Sequence, residues 1–197
     1  MEDASLDSDS KDPSPADTPI RRIDLQRRDQ LPATARRYFE ALKKSSDPKK
    51  RADYAMMIGV IMETLERFGA AVKFYRYALL EGPRSQDRQY YARNNLGYSL
   101  NQLGQFEEGE ILCREAIEID PRRANAHKNL GLSLWGQKRY VEAAHCFVAA
   151  TRVDARDPRS TRHLQELLSE REELREVFNI QLAACKQAIN QHRWHLN

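Results

Sequence analysis

The sequence predicts an all-α chain: an α-solenoid of stacked helix–turn–helix units with flanking helices. Three observations carry that expectation. The phrase "NNLGYSLNQLGQFEEGE" at 94–110 returns 34 residues later as "KNLGLSLWGQKRYVEAA". Apolar residues recur at helical rather than alternating spacing. Glycines and prolines number only eight each in 197 residues, too few to punctuate a chain of many short strands.

Taken in order, residues 1–30 are rich in Ser, Asp and Pro and poor in apolar side chains. They are expected to form a disordered leader, because they cannot bury enough surface to offset the entropy of ordering. The leader is polarised: residues 1–18 carry six acids against Lys11, while 21–51 carry eleven bases against four acids. Within 31–51, Ala35, Tyr38, Phe39 and Leu42 share a helical face, so this stretch reads as an N-terminal helix followed by a linker at "SSDPKK".

The body, 52–157, is expected to hold three copies of one unit, at 52–85, 90–123 and 124–157, with Gln86 to Gln89 inserted between the first two. Setting 90–123 over 124–157 without gaps pairs Asn95 with Asn129, Leu96 with Leu130, Gly97 with Gly131, Leu100 with Leu134, Ala116 with Ala150 and Asp120 with Asp154. The looser first copy contributes Gly59, Met62, Ala71, Tyr75, Ala78 and Pro83. Gly59, Gly97 and Gly131 each cost about 1 kcal/mol of helix propensity relative to Ala. Their recurrence, with Ala78, Ala116 and Ala150, points to close helix crossings that larger residues cannot enter. Residues 158–197 read as a degenerate fourth unit or a pair of capping helices with a tail; Leu164, Leu168, Leu174, Val177 and Ala184 fall in register, and such a segment would close the stack with a polar outer face.

A 34-residue helix–turn–helix period carrying Leu-Gly, a large residue three beyond the Gly, Ala and then Phe or its equivalent, and a closing Pro resembles the tetratricopeptide repeat (TPR). Arg93, His127 and Ala55 depart from the aromatic common at their position, and Gly109 and Cys113 replace the Ala and aromatic of the second helix. The resemblance implies non-covalent protein binding on the inner wall formed by the first helices. Some members clamp the C-terminal carboxylate of a chaperone with Lys and Asn, Asn, then Lys and Arg on three successive first helices. Here those places hold Met56, Val60, Asn95, Asn125 and Asn129, or, one repeat down, Asn94, Tyr98, Asn129, Arg159 and His163, so that clamp is poorly matched.

Catalytic and cofactor motifs do not assemble. Gly131, Gly136 and Lys138 lack the spacing, the Ser/Thr and the preceding strand of a phosphate loop, and Gly97-Tyr98-Ser99 lacks the second Gly of a nucleophile elbow. His192 and His195 have no acidic or thiol companions, and Cys113 and Cys146 read as small core residues. The expectation is no enzyme, no cofactor, no metal and no small-molecule substrate. Three cysteines without a CxxC, an acidic polar start and no apolar run long enough to span a bilayer imply a soluble protein of the reducing cytoplasm. A neutral body does not suit a protein built around nucleic acid.

The expected binding groove comprises Tyr91, Asn94, Tyr98 and Asn101 on one first helix and Asn125, Lys128, Leu132 and Trp135 on the next. Flat rings offer burial and amides meet a peptide backbone. The expected role is an adaptor or scaffold holding a peptide segment of another protein. A secretion-type chaperone for one client and a regulatory subunit docking through 21–51 are the alternatives. Occlusion of the groove by the chain's own terminal helices, with Tyr38, Phe39 and Leu42 as the plugs, is a further possibility at this point.

Overall fold

A computed structural model of the chain describes residues 32–194. The leader at 1–30, the first part of the basic run and His195 lie outside the described residues, as does the side chain of His192. Nine α-helices and one 3-10 turn make up the described chain: α1 (Ala33–Lys44), α2 (Pro48–Thr64), α3 (Phe68–Glu81), α4 (Gln86–Gln102), α5 (Phe106–Ile119), α6 (Ala124–Gly136), α7 (Tyr140–Val153), α8 (Arg159–Glu170), the turn Glu172–Leu174, and α9 (Arg175–Trp194). Among the described residues there is no strand. Sequential helices pack as pairs, and α4 also packs on both α2 and α6, so the first helices of successive pairs form one layer.

The pairs α2/α3, α4/α5 and α6/α7 are joined by the same turn. Glu66, Gly104 and Lys138 all adopt positive φ, at 56°, 74° and 62°. In each case the next backbone N–H donates to a carbonyl five residues back: Arg67 to Met62, Gln105 to Leu100 and Arg139 to Leu134. This is the Schellman arrangement, in which a left-handed residue turns the chain out of the helix. Only Gly104 carries no Cβ cost there. Lys138→Gly is therefore expected to stabilise the chain by about 0.5–1 kcal/mol, read as a higher midpoint in urea; a lower midpoint would show that the side chain repays its strain.

Two boundaries differ from those expected. Residues 48–51 are not linker: Pro48 starts α2, and the Asp47 carboxylate caps it by accepting from the Lys49 and Lys50 amides at 2.9 and 3.4 Å. Gln86–Gln89 are not a spacer either. They form the opening of α4 behind the Ser85 cap. Four residues are close to one helical turn, so the insertion lengthens α4 while keeping its faces in phase.

The recurring glycines sit at the crossings. A Cβ on Gly59 would lie 2.6 Å from the Tyr75 ring, and one on Gly131 would lie 2.5 Å from Phe147. At Gly97 the opposing residue is the smaller Cys113, and the helices close until a Cβ would stand 2.7 Å from its sulfur and 3.1 Å from the Gly109 carbonyl oxygen. Gly109 is thus the partner of Cys113: the smaller side chain draws α5 inward and leaves no room for the usual Ala. Ala78, Ala116 and Ala150 are fully buried. Burial pushes the Cys113 thiol up to about 12 and that of Cys146 up to about 11, as suits packed rather than reactive sulfurs.

The C-terminal register is shifted. Leu164 and Leu168 are buried as expected, but Val177 is 60% exposed and Ala184 is also exposed. Phe178 and Cys185, one residue later, point inward instead. The 3-10 turn Glu172–Leu174 lies at this junction and has fewer residues per turn than an α-helix.

Candidate functional site

The first-helix layer encloses a groove of about 380 Å³ lined by Glu63, Asn94, Asn95, Tyr98, Gln102, Asn125, Lys128, Asn129, Leu132, Arg159 and His163. These residues come from α2, α4, α6 and α8, so every lining residue belongs to the first helix of a pair. Neither terminal helix enters it. Phe39 and Leu42 of α1 are buried in the core they share with α2 and α3, and the Tyr38 ring packs against Tyr54 with centroids 6.3 Å apart.

Five of the eight expected groove residues meet here: Asn94, Tyr98, Asn125, Lys128 and Leu132. Three do not. Tyr91 is 47% exposed outside the groove, edge-on to Tyr90, with the Arg123 guanidinium 5.0 Å above its ring. Asn101 is a buried strut: its Nδ2 donates to the Asn129 carbonyl at 2.9 Å, and Ser133 Oγ donates to its Oδ1 at 2.8 Å. That Oδ1 occupies the place a Gly109 Cβ would take, a second reason for glycine there. Trp135 packs edge-on to Phe147 and His163, with centroids 6.0 and 6.4 Å away, and belongs to the lower core.

The floor is a chain of hydrogen bonds across three helix pairs. Asn129 Nδ2 donates to Asn94 Oδ1 at 3.0 Å, Asn94 Nδ2 to Asn95 Oδ1 at 2.9 Å, Asn95 Nδ2 to the Tyr75 hydroxyl at 3.4 Å, and that hydroxyl to Glu63 Oε2 at 2.9 Å. Every donor points towards Glu63, so the dipoles reinforce one another and end on its carboxylate. Burial nevertheless raises the Glu63 carboxyl above its ordinary range, against the lowering effect of the Tyr75 and Ser99 hydroxyls.

The opposite end is cationic. Lys128 is 7% exposed, and its ammonium makes one long contact, 3.5 Å to Asn125 Oδ1. The same oxygen accepts from Arg159 Nη2 at 3.2 Å. Arg159 is anchored by Asp157, with a 2.6 Å ion pair. Burial, with the Arg159 charge nearby, pulls Lys128 down to about 8. His163 sits beside them with its imidazole pKa lowered by burial, its Nδ1 3.2 Å from Glu166 Oε2. Glu63, Asn95, Gln102, Asn129, Arg159 and His163 complete the lining; Glu63 lies on the inner face that the repeat pattern also assigns to Asp53, Met56 and Val60 of the first copy, and Arg159 and His163 are the 34-residue equivalents of Asn125 and Asn129, so the fourth unit contributes to the wall.

The groove offers amides, the Tyr98 ring, the His163 imidazole, two cations and one carboxylate, a set suited to recognition. Among the described residues no group of three His, Cys, Asp or Glu side chains is arranged to hold a metal, and no helix is long and apolar enough to cross a membrane.

Comparison with known proteins agrees with the fold. Residues 90–123 match the tetratricopeptide repeat family. The chain is 32% identical over 71 residues to protein O-mannosyl-transferase Tmtc3 of Drosophila melanogaster, covering 36% of this chain and 8% of that protein. It is 30% identical over 87 residues to small glutamine-rich tetratricopeptide repeat-containing protein 2 of Mycosarcoma maydis, covering 44% and 24%. It therefore spans less than a quarter of the length of either relative. Among solved structures, the Arabidopsis OM64 TPR domain superposes with a TM-score of 0.55 at 20% identity, covering 61% of this chain and 96% of that one. MamA from Desulfovibrio magneticus RS-1 superposes with a TM-score of 0.58 at 15% identity, covering 82% and 98%.

Proposed function

We propose that this chain, whose helix pairs are tetratricopeptide repeats, is a non-enzymatic scaffold that holds an extended peptide segment of a partner protein in the groove between α2, α4, α6 and α8. Repeats of this kind mediate protein–protein interaction, and the polar, amide-rich wall supports that role here. The observation that carries the reading is the convergence of Asn94, Tyr98, Asn125, Lys128 and Leu132 on one groove, with α1 and α9 packed elsewhere. Extended chains need donors and acceptors for their backbone and a few places for side chains.

A site-specific photocrosslinker tests this. Placed at Gln102, in the groove, it is expected to trap a partner protein from lysate. Placed at Ile111, exposed on α5, it should not. Tyr98→Ala should reduce the Gln102 adduct at least tenfold, the loss expected of a buried aromatic anchor, with the circular dichroism spectrum unchanged. Equal adducts from both positions would remove the groove from consideration. Trp135 is unsuited to such a test, because its loss opens the core around Phe147.

A second reading rests on a different surface. Arg36, Arg37, Lys43, Lys44, Lys49 and Lys50 are exposed on α1 and the start of α2. Among the described residues none of these six has a carboxylate at ion-pair distance. This supports docking of an acidic surface on the N-terminal end, as a regulatory subunit would require. Such binding would collapse between about 50 and 200 mM salt, whereas capture by the groove would weaken far less.

A further inference from the structure

Resting on that groove reading, the geometry points to the chemistry of the bound segment: we infer that the groove seats one acidic side chain, an Asp or Glu within an extended partner segment, between Lys128 and Arg159. The argument starts from a mismatch. A lysine buried to 7% exposure normally has a carboxylate partner or several hydrogen bonds, because an uncompensated charge in such a place is costly. Lys128 has three donors and one contact, at 3.5 Å to an amide oxygen it shares with Arg159. Asp157 and Glu63 attract the Lys128 charge, but neither makes an ion pair with it. Glu63 accepts from Tyr75, and Asp157 is held by Arg159.

The fold does not ask for this lysine. At the equivalent place in the first two copies stand Met56 and Asn94, an apolar residue and an amide, and both pack without a charge. The lysine is therefore particular to the third copy, beside the one first helix that brings an arginine to the groove wall. Together Lys128 and Arg159 present donors from adjacent helices around Asn125, an arrangement that a carboxylate oxygen pair satisfies.

The depth of Lys128 decides between two sources of that carboxylate. An ammonium at the groove floor is reached by a carboxylate on a side-chain stem. A chain-terminal carboxylate sits on the backbone itself, which would have to descend to the floor. The amide lining, moreover, runs along Asn94, Asn95 and Gln102 on one side of Lys128, while Arg159 and His163 lie on the other. This provides for a segment that passes through. Glu63, contributed by α2 to the same groove, adds negative charge to the wall and so favours one acidic residue over a cluster.

The test uses the full chain and two random-peptide display libraries, one presenting peptides internally and one presenting free C-termini. Peptides retained by the wild-type chain but not by Tyr98→Ala define groove binders. The expected result is an Asp or Glu at one fixed position in the internal library. A synthetic binder, acetylated and amidated, should lose at least tenfold in affinity on Glu→Gln. Against Lys128→Met that Glu/Gln preference should fall at least tenfold; the double-mutant cycle reads this coupling whatever the substitution does to binding of the Gln peptide. Groove binders with no acidic position overturn the inference and leave the scaffold reading standing, as does acid enrichment confined to free C-termini. A Glu/Gln preference that survives in Lys128→Met also overturns it. Binders recovered only after residues 1–31 are removed would assign the site to the acidic leader in place of a partner. Recovery of no groove binder from either library would overturn the groove reading and this inference together.

Discussion

Replacing Gly97 and Gly131 together by valine should lower the melting temperature of the stack by roughly 5–20 °C. A Cβ alone would come within 2.7 Å of Cys113 Sγ at the first position and 2.5 Å of Phe147 at the second, and valine adds two methyls beyond it. Neither neighbour can give way. Cys113 is fully buried and the Gly109 backbone carbonyl stands 3.1 Å from the same Cβ at position 97, while Phe147 is fully buried between Trp135 and His163. Overpacking costs about 1–3 kcal/mol per site, occasionally more, against the 5–15 kcal/mol typical of a whole domain. Valine recovers only a few tenths of a kcal/mol of helix propensity. Because repeats are held chiefly by their immediate neighbours, damage to two adjacent units cuts the stack at its centre. The measurement is the thermal melt by circular dichroism. Gly69→Ala is the control: it lies in α3 with nothing within 4 Å of the added Cβ. It should stabilise by up to about 1 kcal/mol. A melt for the double valine variant that matched its parent would mean that glycine does not set the helix spacing.

Lys128→Met should make the protein more stable, by about 1–3 kcal/mol at neutral pH, even though it removes a residue assigned to the groove. Burial depresses the ammonium from 10.5 to about 8, so the unfolded chain holds this proton more tightly than the folded one. Below pH 8 the folded state carries the full cost of a charge it cannot solvate. As pH rises from about 8 to about 10.5 the folded chain has already released the proton while the unfolded chain still binds it, and wild-type stability rises relative to the variant. The gap between the two proteins should therefore be constant below pH 8 and close towards pH 10.5, in paired urea titrations. A variant less stable than its parent at pH 7 would show that Lys128 is satisfied within the fold, and the case for an anionic ligand would lose its footing. Stability given up at a recognition site is a common exchange.

The helix-pair architecture was legible because its signals are local. Gly97 and Gly131 recur 34 residues apart, and the small-and-large pattern around them follows the helical period whatever the distant surroundings. The register slip at Val177 and the extra turn at Gln86–Gln89 escaped that reading, since both depend on how a helix is phased by the turn or cap before it. For the groove, periodicity placed Asn94, Tyr98, Asn125, Lys128 and Leu132 on the right faces, but a face is wider than a wall. Tyr91 and Trp135 satisfy the same spacing and yet stack on Arg123 and on Phe147, contacts made with residues more than ten positions away.

The amino-acid order by itself determined the class of fold, the spacing of the crossings and the side of each first helix that faces inward, since these follow from backbone geometry and steric size over a few turns. Only the tertiary arrangement decided which polar groups share one groove and which of them are left without partners. Glu63, Lys128 and Arg159 come from three different helices. A charge's burial and company are properties of the packed whole, and electrostatic energy depends on distances that no single helix contains.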